Sequence, residues 1–164
     1  FIEGESHLPS LVTDMVCDDE LQVVCAPAHP LAKLKSVSPK ALTEHGYISR
    51  EPGSGTREVI DHYLQKAGVL PDTMQVVMEL GSPEALKGLV ATGLGFAIMS
   101  RATVVKETQL GQLVQIPLSP RLNRHLAVVY PKERFHSRLV SGFVQFAKER
   151  VAALQSASAV RPAA

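Results

Sequence analysis

The sequence predicts an α/β protein in which a parallel or mixed sheet carries helices on both faces. Extended apolar runs alternate with helical apolar spacing as far as Leu118. Leu94–Met99 is a continuous apolar run, which is typical of a strand buried on both faces. Ligands of such sheets bind beyond the carboxyl ends of the strands. We therefore expect three strand-to-helix junctions, Arg50–Arg57, Gly81–Glu84 and Met99–Arg101, to converge on one side.

The composition is that of an ordinary globular protein, and it excludes two classes of partner. The 164 residues are 45% hydrophobic and 20% charged, with a net charge of +1 and room for one domain or two small lobes. No basic run suggests a nucleic-acid surface, and no apolar stretch is long enough for a membrane span. The chain begins inside an apparent strand, without methionine or a visible leader. We expect a cytoplasmic fragment of a longer protein.

The elements of the first half follow from apolar periodicity and from the turn residues between the runs. They are a strand end at Phe1–Glu3, extended segments Leu11–Cys17 and Leu21–Ala26 around Asp18-Asp19-Glu20, a short helix opened by Ser38-Pro39, a strand at Tyr47–Arg50 and a helix stopped by Gly68. Cys17 and Cys25 could face one another across a hairpin. Buried reduced thiols are favoured, because a chain of this size needs no disulfide.

The second half continues the alternation and ends on a long helix. Its elements are a strand at Gln75–Leu80, a helix from Ser82 to Gly93, the strand Leu94–Met99, a weaker helix near Ala102–Thr108, strands at Leu113–Leu118 and His125–Tyr130, and a helix from about Ser137 to Leu154. The last helix has Leu139, Val140, Phe143, Ala147 and Val151 on one face, a pattern that predicts a core position. Residues 153–164 lack periodicity and are predicted to be a disordered tail.

The motif Gly53-Ser54-Gly55-Thr56-Arg57 is the strongest candidate for a binding site, because it joins a strand to a helix. Its glycines let the backbone approach a ligand, and the first helical turn leaves N–H groups without intrahelical partners. Ser54 and Thr56 add hydroxyl groups, so the motif predicts an anion site. Arg57 opposes the helix dipole, which an anionic ligand would explain. The alternative is a plain cap with Arg57 pointing into water.

Two further features of the sequence limit the class of ligand and indicate a second helix N-terminus. The motif lacks the lysine and the longer glycine spacing of a Walker loop, so a small carboxylate, sulfate or phosphate compound is expected rather than a nucleotide. Gly81-Ser82 presents another helix N-terminus, for which a plain cap is again the alternative.

Five short motifs occur along the chain in a fixed order. They are Phe1-Ile2-Glu3-Gly4, Asp19-Glu20-Leu21, His29-Pro30-Leu31-Ala32, Gly53-Ser54-Gly55-Thr56-Arg57 and Gly93-Leu94-Gly95-Phe96-Ala97-Ile98-Met99. In this order they resemble the effector-binding domain of LysR-type bacterial transcription regulators, over roughly residues 1–152. The version of the glycine motif that follows Pro52 is similar to the branch that includes sulfur-assimilation and carbon-fixation regulators.

The resemblance implies two Rossmann-like lobes of the periplasmic-binding-protein type, with a small anionic effector in the cleft between them. Carried over, residues 1–25 and 131–152 would form lobe I, and residues 26–130 would form lobe II. The ligand-binding residues would be Ile2, Glu3, Gly53, Ser54, Gly55, Thr56, Arg57, Ser82 and Phe96. Lobe I would be incomplete, and the winged helix-turn-helix that reads DNA is absent from this sequence. The resemblance alone also implies a homodimer, and higher oligomers of the full-length regulator.

Two other classes of function are weaker alternatives. A solute-binding protein for an anion transporter is one, because phosphate-binding periplasmic proteins resemble this chain in their Ser-Gly-Thr-Arg turn. An enzyme is the other. Ser54 lacks the Gly-x-Ser-x-Gly setting of a nucleophile, and the six histidines are dispersed without metal-ligand spacing. The sequence therefore predicts no catalytic residue, no metal and no cofactor.

Overall fold

The computed structural model confirms the α/β class and describes residues 2–3, 9–132 and 137–159, with side chains for 9–132 and 137–153. The elements are β1 (Ile2–Glu3), β2 (Leu11–Cys25), α1 (Pro39–Leu42), β3 (Gly46–Arg50), α2 (Gly55–Lys66), β4 (Gln75–Leu80), α3 (Pro83–Ala91), β5 (Ala97–Ser100), α4 (Val105–Gln109), β6 (Val114–Ile116), β7 (Leu122–Pro131) and α5 (Arg138–Ala159). Short 3-10 helices lie at Pro30–Lys33, Pro71–Thr73 and Arg101–Val104.

The chain divides into two compact units, which β2 and β7 connect. Unit 1 comprises Phe1–Asp18 and His125–Ala164, and unit 2 comprises Asp19–Arg124. The chain therefore enters unit 2 within β2 and leaves it within β7. The predicted lobe boundaries, after residues 25 and 130, lie a few residues further along the same two strands.

The strands of unit 2 combine parallel and antiparallel pairing, as the sequence predicted. β3 and β4 run parallel, and Tyr47 of β3 also forms a parallel bridge with Phe96 just before β5. β5 and β6 both pair antiparallel with the last residues of β2. The predicted strand at 94–99 is therefore shorter and begins later, because Leu94 is half exposed and lies outside it.

Helices cover both faces of the strands in unit 2. On one face, Ile60 and Leu64 of α2 pack in a buried cluster with Ile98. On the other face, Leu86 and Val90 of α3 pack in a second cluster with other β5 side chains. On each helix, apolar side chains about one turn apart form a single face. These two faces pack against the strands and form the two cores.

β2 is one continuous strand, which corrects the prediction of two segments around an acidic turn. Asp18, Asp19 and Glu20 lie inside it, and Asp19 is buried against cationic and hydroxyl partners that the strand pattern does not reveal. Cys17 and Cys25 therefore lie on the same strand rather than across a hairpin. Cys25 is buried, and this burial raises the pKa of its thiol to about 11.

In unit 1, β1 pairs antiparallel with β7, and α5 presents much of its apolar face to solvent. Leu139 is 82% exposed and Phe143 is 54% exposed, whereas Ala147 is buried. The prediction of a core helix is therefore wrong for its first two turns. Instead, Leu139 and Phe143 line an apolar groove of about 500 Å³. The other lining residues are Val128, Val129, Tyr130, Val140 and Val144.

The end of α5 also differs from the sequence prediction. The helix continues to Ala159, so residues 153–159 of the predicted disordered tail are helical. Alanine has the highest helix propensity, and neither glycine nor proline interrupts this stretch. Residues 160–164 lie outside the described part of the chain.

Candidate functional site

The first turn of α2 follows β3 through a tight turn that requires glycine. Gly53 has a φ of +84°, in the left-handed region that other residues rarely adopt. Ser54 takes the N-cap position in extended backbone geometry, and the helix begins at Gly55. The predicted junction between strand and helix is therefore present, and the first-turn N–H groups of α2 have no intrahelical partners.

The hydroxyl groups of this turn do not act as simple helix caps. Ser54 is buried, and its side chain makes no capping hydrogen bond. Thr56 is also buried, and its Oγ1 accepts a hydrogen bond of 3.0 Å from the guanidinium of Arg124. The plain-cap alternative therefore does not describe this turn.

Arg57 faces partners within the chain. Its NH1 donates to a Glu79 carboxylate oxygen at 2.6 Å and to the Arg50 carbonyl at 3.0 Å. Asp61, one turn along α2, lies 3.7 Å from Arg57 Nε. The arginine side chain is 27% exposed, so it does not simply point into water. These carboxylates account for the cation that the helix dipole disfavours.

A polar cavity of about 330 Å³ adjoins Arg57. Its lining residues are Tyr47, Ser49, Arg57, Asp61, Pro71, Asp72, Met74 and Val76. Burial raises the pKa of Tyr47 to about 12. Burial also raises the pKa of Asp61, and Arg57 partly opposes this shift. The cavity thus contains one arginine among carboxylates, an arrangement that does not favour an anion.

Arg124 is the buried cation at the α2 turn, and sequence reasoning missed it. Its Nε donates to Asp19 Oδ2 at 2.8 Å, and its NH1 donates to Thr56. The other oxygen of Asp19, Oδ1, accepts a 2.6 Å hydrogen bond from Ser100. The signal that could have found this network is three acidic residues inside an otherwise apolar stretch. A carboxylate at such a position requires a partner.

Two of the three predicted junctions lie side by side, and a hydrogen-bond chain reaches the third. Because β3 and β4 are parallel with Arg50 opposite Leu80, the turns that follow them are adjacent. Ser100 ends β5 and connects through Asp19 and Arg124 to Thr56. The first turn of α2 therefore lies at the centre of the edge of unit 2 where the three predicted junctions are found.

The remaining predicted site residues have other positions. Ser82 caps α3 by accepting from Ala85 N at 3.3 Å, as its plain-cap alternative proposed. Phe96 is completely buried and stacks on Tyr47 with ring centroids 5.3 Å apart, so it has a packing role. Ile2 and Glu3 form β1 in unit 1.

Two kinds of site are absent from the part of the chain that the structure describes. Each described helix is too short or too polar to cross a bilayer. No cluster of three or more His, Cys, Asp or Glu side chains among those residues has the arrangement of a metal site.

Comparison with protein families and curated proteins identifies close relatives of the chain. The family profile of the LysR substrate binding domain matches residues 1–152. The HTH-type transcriptional regulator YeiE of Escherichia coli K12 is 37% identical over 148 residues, which are 89% of this chain and 49% of that protein. The RuBisCO operon transcriptional regulator of Acidithiobacillus ferrooxidans is 34% identical over 138 residues, 84% of this chain and 44% of that protein. The chain spans about half the length of these relatives.

Solved structures confirm the fold as that of LysR regulatory domains, which is periplasmic-binding-protein-like. The regulatory domain of CcmR from Synechocystis PCC6803, solved in complex with 2-PG, superposes with a TM-score of 0.80 at 26% identity. The match covers 90% of this chain and 70% of that domain.

Proposed function

This chain belongs to the LysR substrate binding domain family, and on that premise we propose that it senses a small anionic effector at the first turn of α2. The proposal rests on one observation. The turn combines helix N–H groups and the hydroxyl of Thr56 with a buried guanidinium, that of Arg124. Together these groups offer charge and directional donors to a carboxylate, sulfate or phosphate group.

Arg124 takes the role that the sequence suggested for Arg57. Arg57 already contacts Glu79 and Asp61, and the cavity beside it contains the further carboxylate of Asp72. Arg124 contacts the Asp19 carboxylate and donates to the hydroxyl of Thr56 in the first turn itself. We assign charge recognition to Arg124. We assign Arg57 a structural role, because it joins α2 to the ends of β3 and β4 through the Arg50 carbonyl and Glu79.

The relatives support this assignment over the alternatives. CcmR, which shares the fold at 26% identity, was solved with 2-PG bound. Both curated relatives described above are transcription regulators, which favours a regulator over a solute-binding protein for transport. A sensing role requires differential affinity for two conformations and no chemical step, so we propose that the domain is not an enzyme.

The role in the longer protein is also a proposal. We propose that units 1 and 2 correspond to the two lobes of the family, and that effector binding controls DNA binding by a helix-turn-helix domain outside this chain. Such a regulator acts as a homodimer or higher oligomer and works in the cytoplasm, where its DNA lies.

The experiment is an NMR titration of the chain with 2-PG, inorganic phosphate and sulfate. We expect at least one anion to shift the amide signals of residues 55–57 in a saturable way. Thr56→Val should weaken that binding about tenfold or more, because a hydrogen bond to a charged group contributes about 1.5–3 kcal/mol. Thr92→Val is the matched control, since its hydroxyl donates to the Leu89 carbonyl at the end of α3, away from the α2 turn. Saturable shifts at the amides of Glu84 and Ala85 instead, or at neither helix, would contradict the proposal.

A further inference from the structure

Asp19 and Arg124 are the first and last residues of unit 2, and they bind each other. The chain passes between the units immediately before Asp19 in β2 and immediately after Arg124 in β7. Nε of the arginine lies 2.8 Å from Oδ2 of the aspartate, and their side chains are only 8% and 7% exposed. One buried ion pair therefore joins both points where the chain changes units.

Both oxygens of Asp19 hold polar side chains in place. Oδ2 accepts from Arg124, and Oδ1 accepts from the hydroxyl of Ser100 at 2.6 Å. The Ser100 oxygen in turn accepts from Ala102 N at 3.2 Å, at the start of the short helix after β5. This carboxylate is thus fixed by two donors from separate elements, which leaves it one orientation.

The same guanidinium reaches the proposed effector site. The NH1 group of Arg124 donates to Thr56 Oγ1 in the first turn of α2, while Nε remains on Asp19. A guanidinium is planar and rigid, so its nitrogens cannot move independently. An anion that draws NH1 toward the α2 turn must also change the geometry at Asp19.

We infer that Asp19 and Ser100 are positioning residues that orient Arg124 toward the α2 turn. Through them, occupancy of that turn is coupled to both strands that connect the units. The inference rests on the proposed function for the identity of the ligand. The mechanical connection exists without a ligand, so it can be tested separately.

A neighbouring ion pair is more exposed to solvent than the Asp19–Arg124 pair. Arg121 donates to Glu20 at 3.0 Å, and each residue is close in sequence to a member of the Asp19–Arg124 pair. The arginine side chain, however, is 65% exposed. It serves as the matched control for the buried pair.

The ligand-free test uses the Nε–H NMR signal of Arg124 and amide hydrogen exchange of the chain. In the parent protein this Nε–H should be visible and protected, because it is buried on a carboxylate. Thr56→Val should shift it and speed exchange of amides beside residues 19 and 124 about tenfold, the effect of losing one hydrogen bond to a charged group. Thr56→Ser, which keeps the hydroxyl, should restore parent behaviour. An unchanged signal and unchanged exchange in Thr56→Val would overturn the inference.

The second arm adds inorganic phosphate or 2-PG to the parent, to Asp19→Asn and to Glu20→Gln. We expect a saturating concentration of the anion to slow exchange in the α2 turn of all three proteins, with weaker binding to Asp19→Asn because Arg124 is no longer oriented. Exchange beside residues 19 and 124 should respond in the parent and in Glu20→Gln but not in Asp19→Asn. A response that persists in Asp19→Asn would overturn the coupling and leave the proposed function intact. No response at the α2 turn of the parent would overturn the proposed function. The ligand-free experiment would still show whether Thr56 is coupled to Asp19 through Arg124.

Discussion

Gly95 lies directly against the backbone of Gly46, whose carbonyl accepts a 2.9 Å hydrogen bond from Phe96 N. A Cβ atom at position 95 would overlap the Gly46 carbonyl group, and a carbonyl within a strand has no flexible end that could move aside. The second glycine of the Gly-Leu-Gly-Phe motif is thus required by the close approach of two strand segments.

We predict that Gly95→Ala lowers the free energy of unfolding by about 1–3 kcal/mol or more, because the clash is with backbone. The control is Gly88→Ala in the interior of α3, where nothing lies within 4 Å of the added methyl group. That substitution should stabilise the chain by up to about 1 kcal/mol through helix propensity. Urea unfolding followed by circular dichroism measures both. Equal effects of the two substitutions would disprove the role of close approach.

Arg124 is buried within β7 and Arg121 is exposed just before it, so the two should differ strongly in their contribution to stability. Arg124→Ala leaves the buried carboxylate of Asp19 without its cation, which should cost about 3–5 kcal/mol. Arg121→Ala removes an exposed partner of Glu20 and should cost about 0–1 kcal/mol. Denaturant midpoints of the two variants provide the comparison. A loss in Arg124→Ala as small as in Arg121→Ala would show that Asp19 is satisfied in another way.

Local signals in the sequence were sufficient for the elements that frame the site. Ser82 followed by Pro83 predicted the start of α3, and Leu86 and Val90 predicted its buried stripe. Both depend on neighbours within one or two turns of the chain. The strand-to-helix turn at Gly53 was predicted for the same reason.

The central contact of the site could not be predicted in this way. Arg124 and Asp19 are 105 residues apart, and the pattern around Asp19 suggested a turn because an isolated strand gives a buried carboxylate no partner. Arg57 is a related case, since its proximity to Glu79 arises only when β3 and β4 pair. Periodicity likewise identified the apolar face of α5 but not whether another element covers it.

A pH-dependent loss of stability is predicted for Lys87→Met. Lys87 Nζ lies 2.7 Å from Glu107 Oε1, and the other carboxylate oxygen, Oε2, is buried without a hydrogen-bond partner. The hydrogen bond from Lys87 lowers the pKa of Glu107. A lowered carboxylate pKa stabilises the fold above the usual carboxylate range, and this contribution disappears as pH falls through the folded-state pKa.

The lysine substitution should therefore cost about 1–3 kcal/mol at neutral pH, because it removes a donor from a carboxylate that is only 18% exposed. The cost should decline at acidic pH, where Glu107 becomes protonated in both proteins. Lys66→Met, at an exposed position on α2, is the control and should show little change at any pH. Unfolding curves collected from neutral to acidic pH provide the measurement. A penalty that is independent of pH would indicate lost packing rather than a lost ion pair.

The apolar groove of unit 1 should bind a neutral hydrophobic dye such as Nile red. Folded monomers rarely expose a contiguous apolar surface of this kind, and Leu139 and Phe143 contribute two large side chains to it. Changing both residues to serine should remove most of the dye fluorescence while circular dichroism shows that the helix persists. Leu70→Ser is the control, because Leu70 is 65% exposed in unit 2, outside the groove. Equal fluorescence from the double variant and the parent would show that these side chains are covered in solution, since dye binding depends on the apolar area that water can reach.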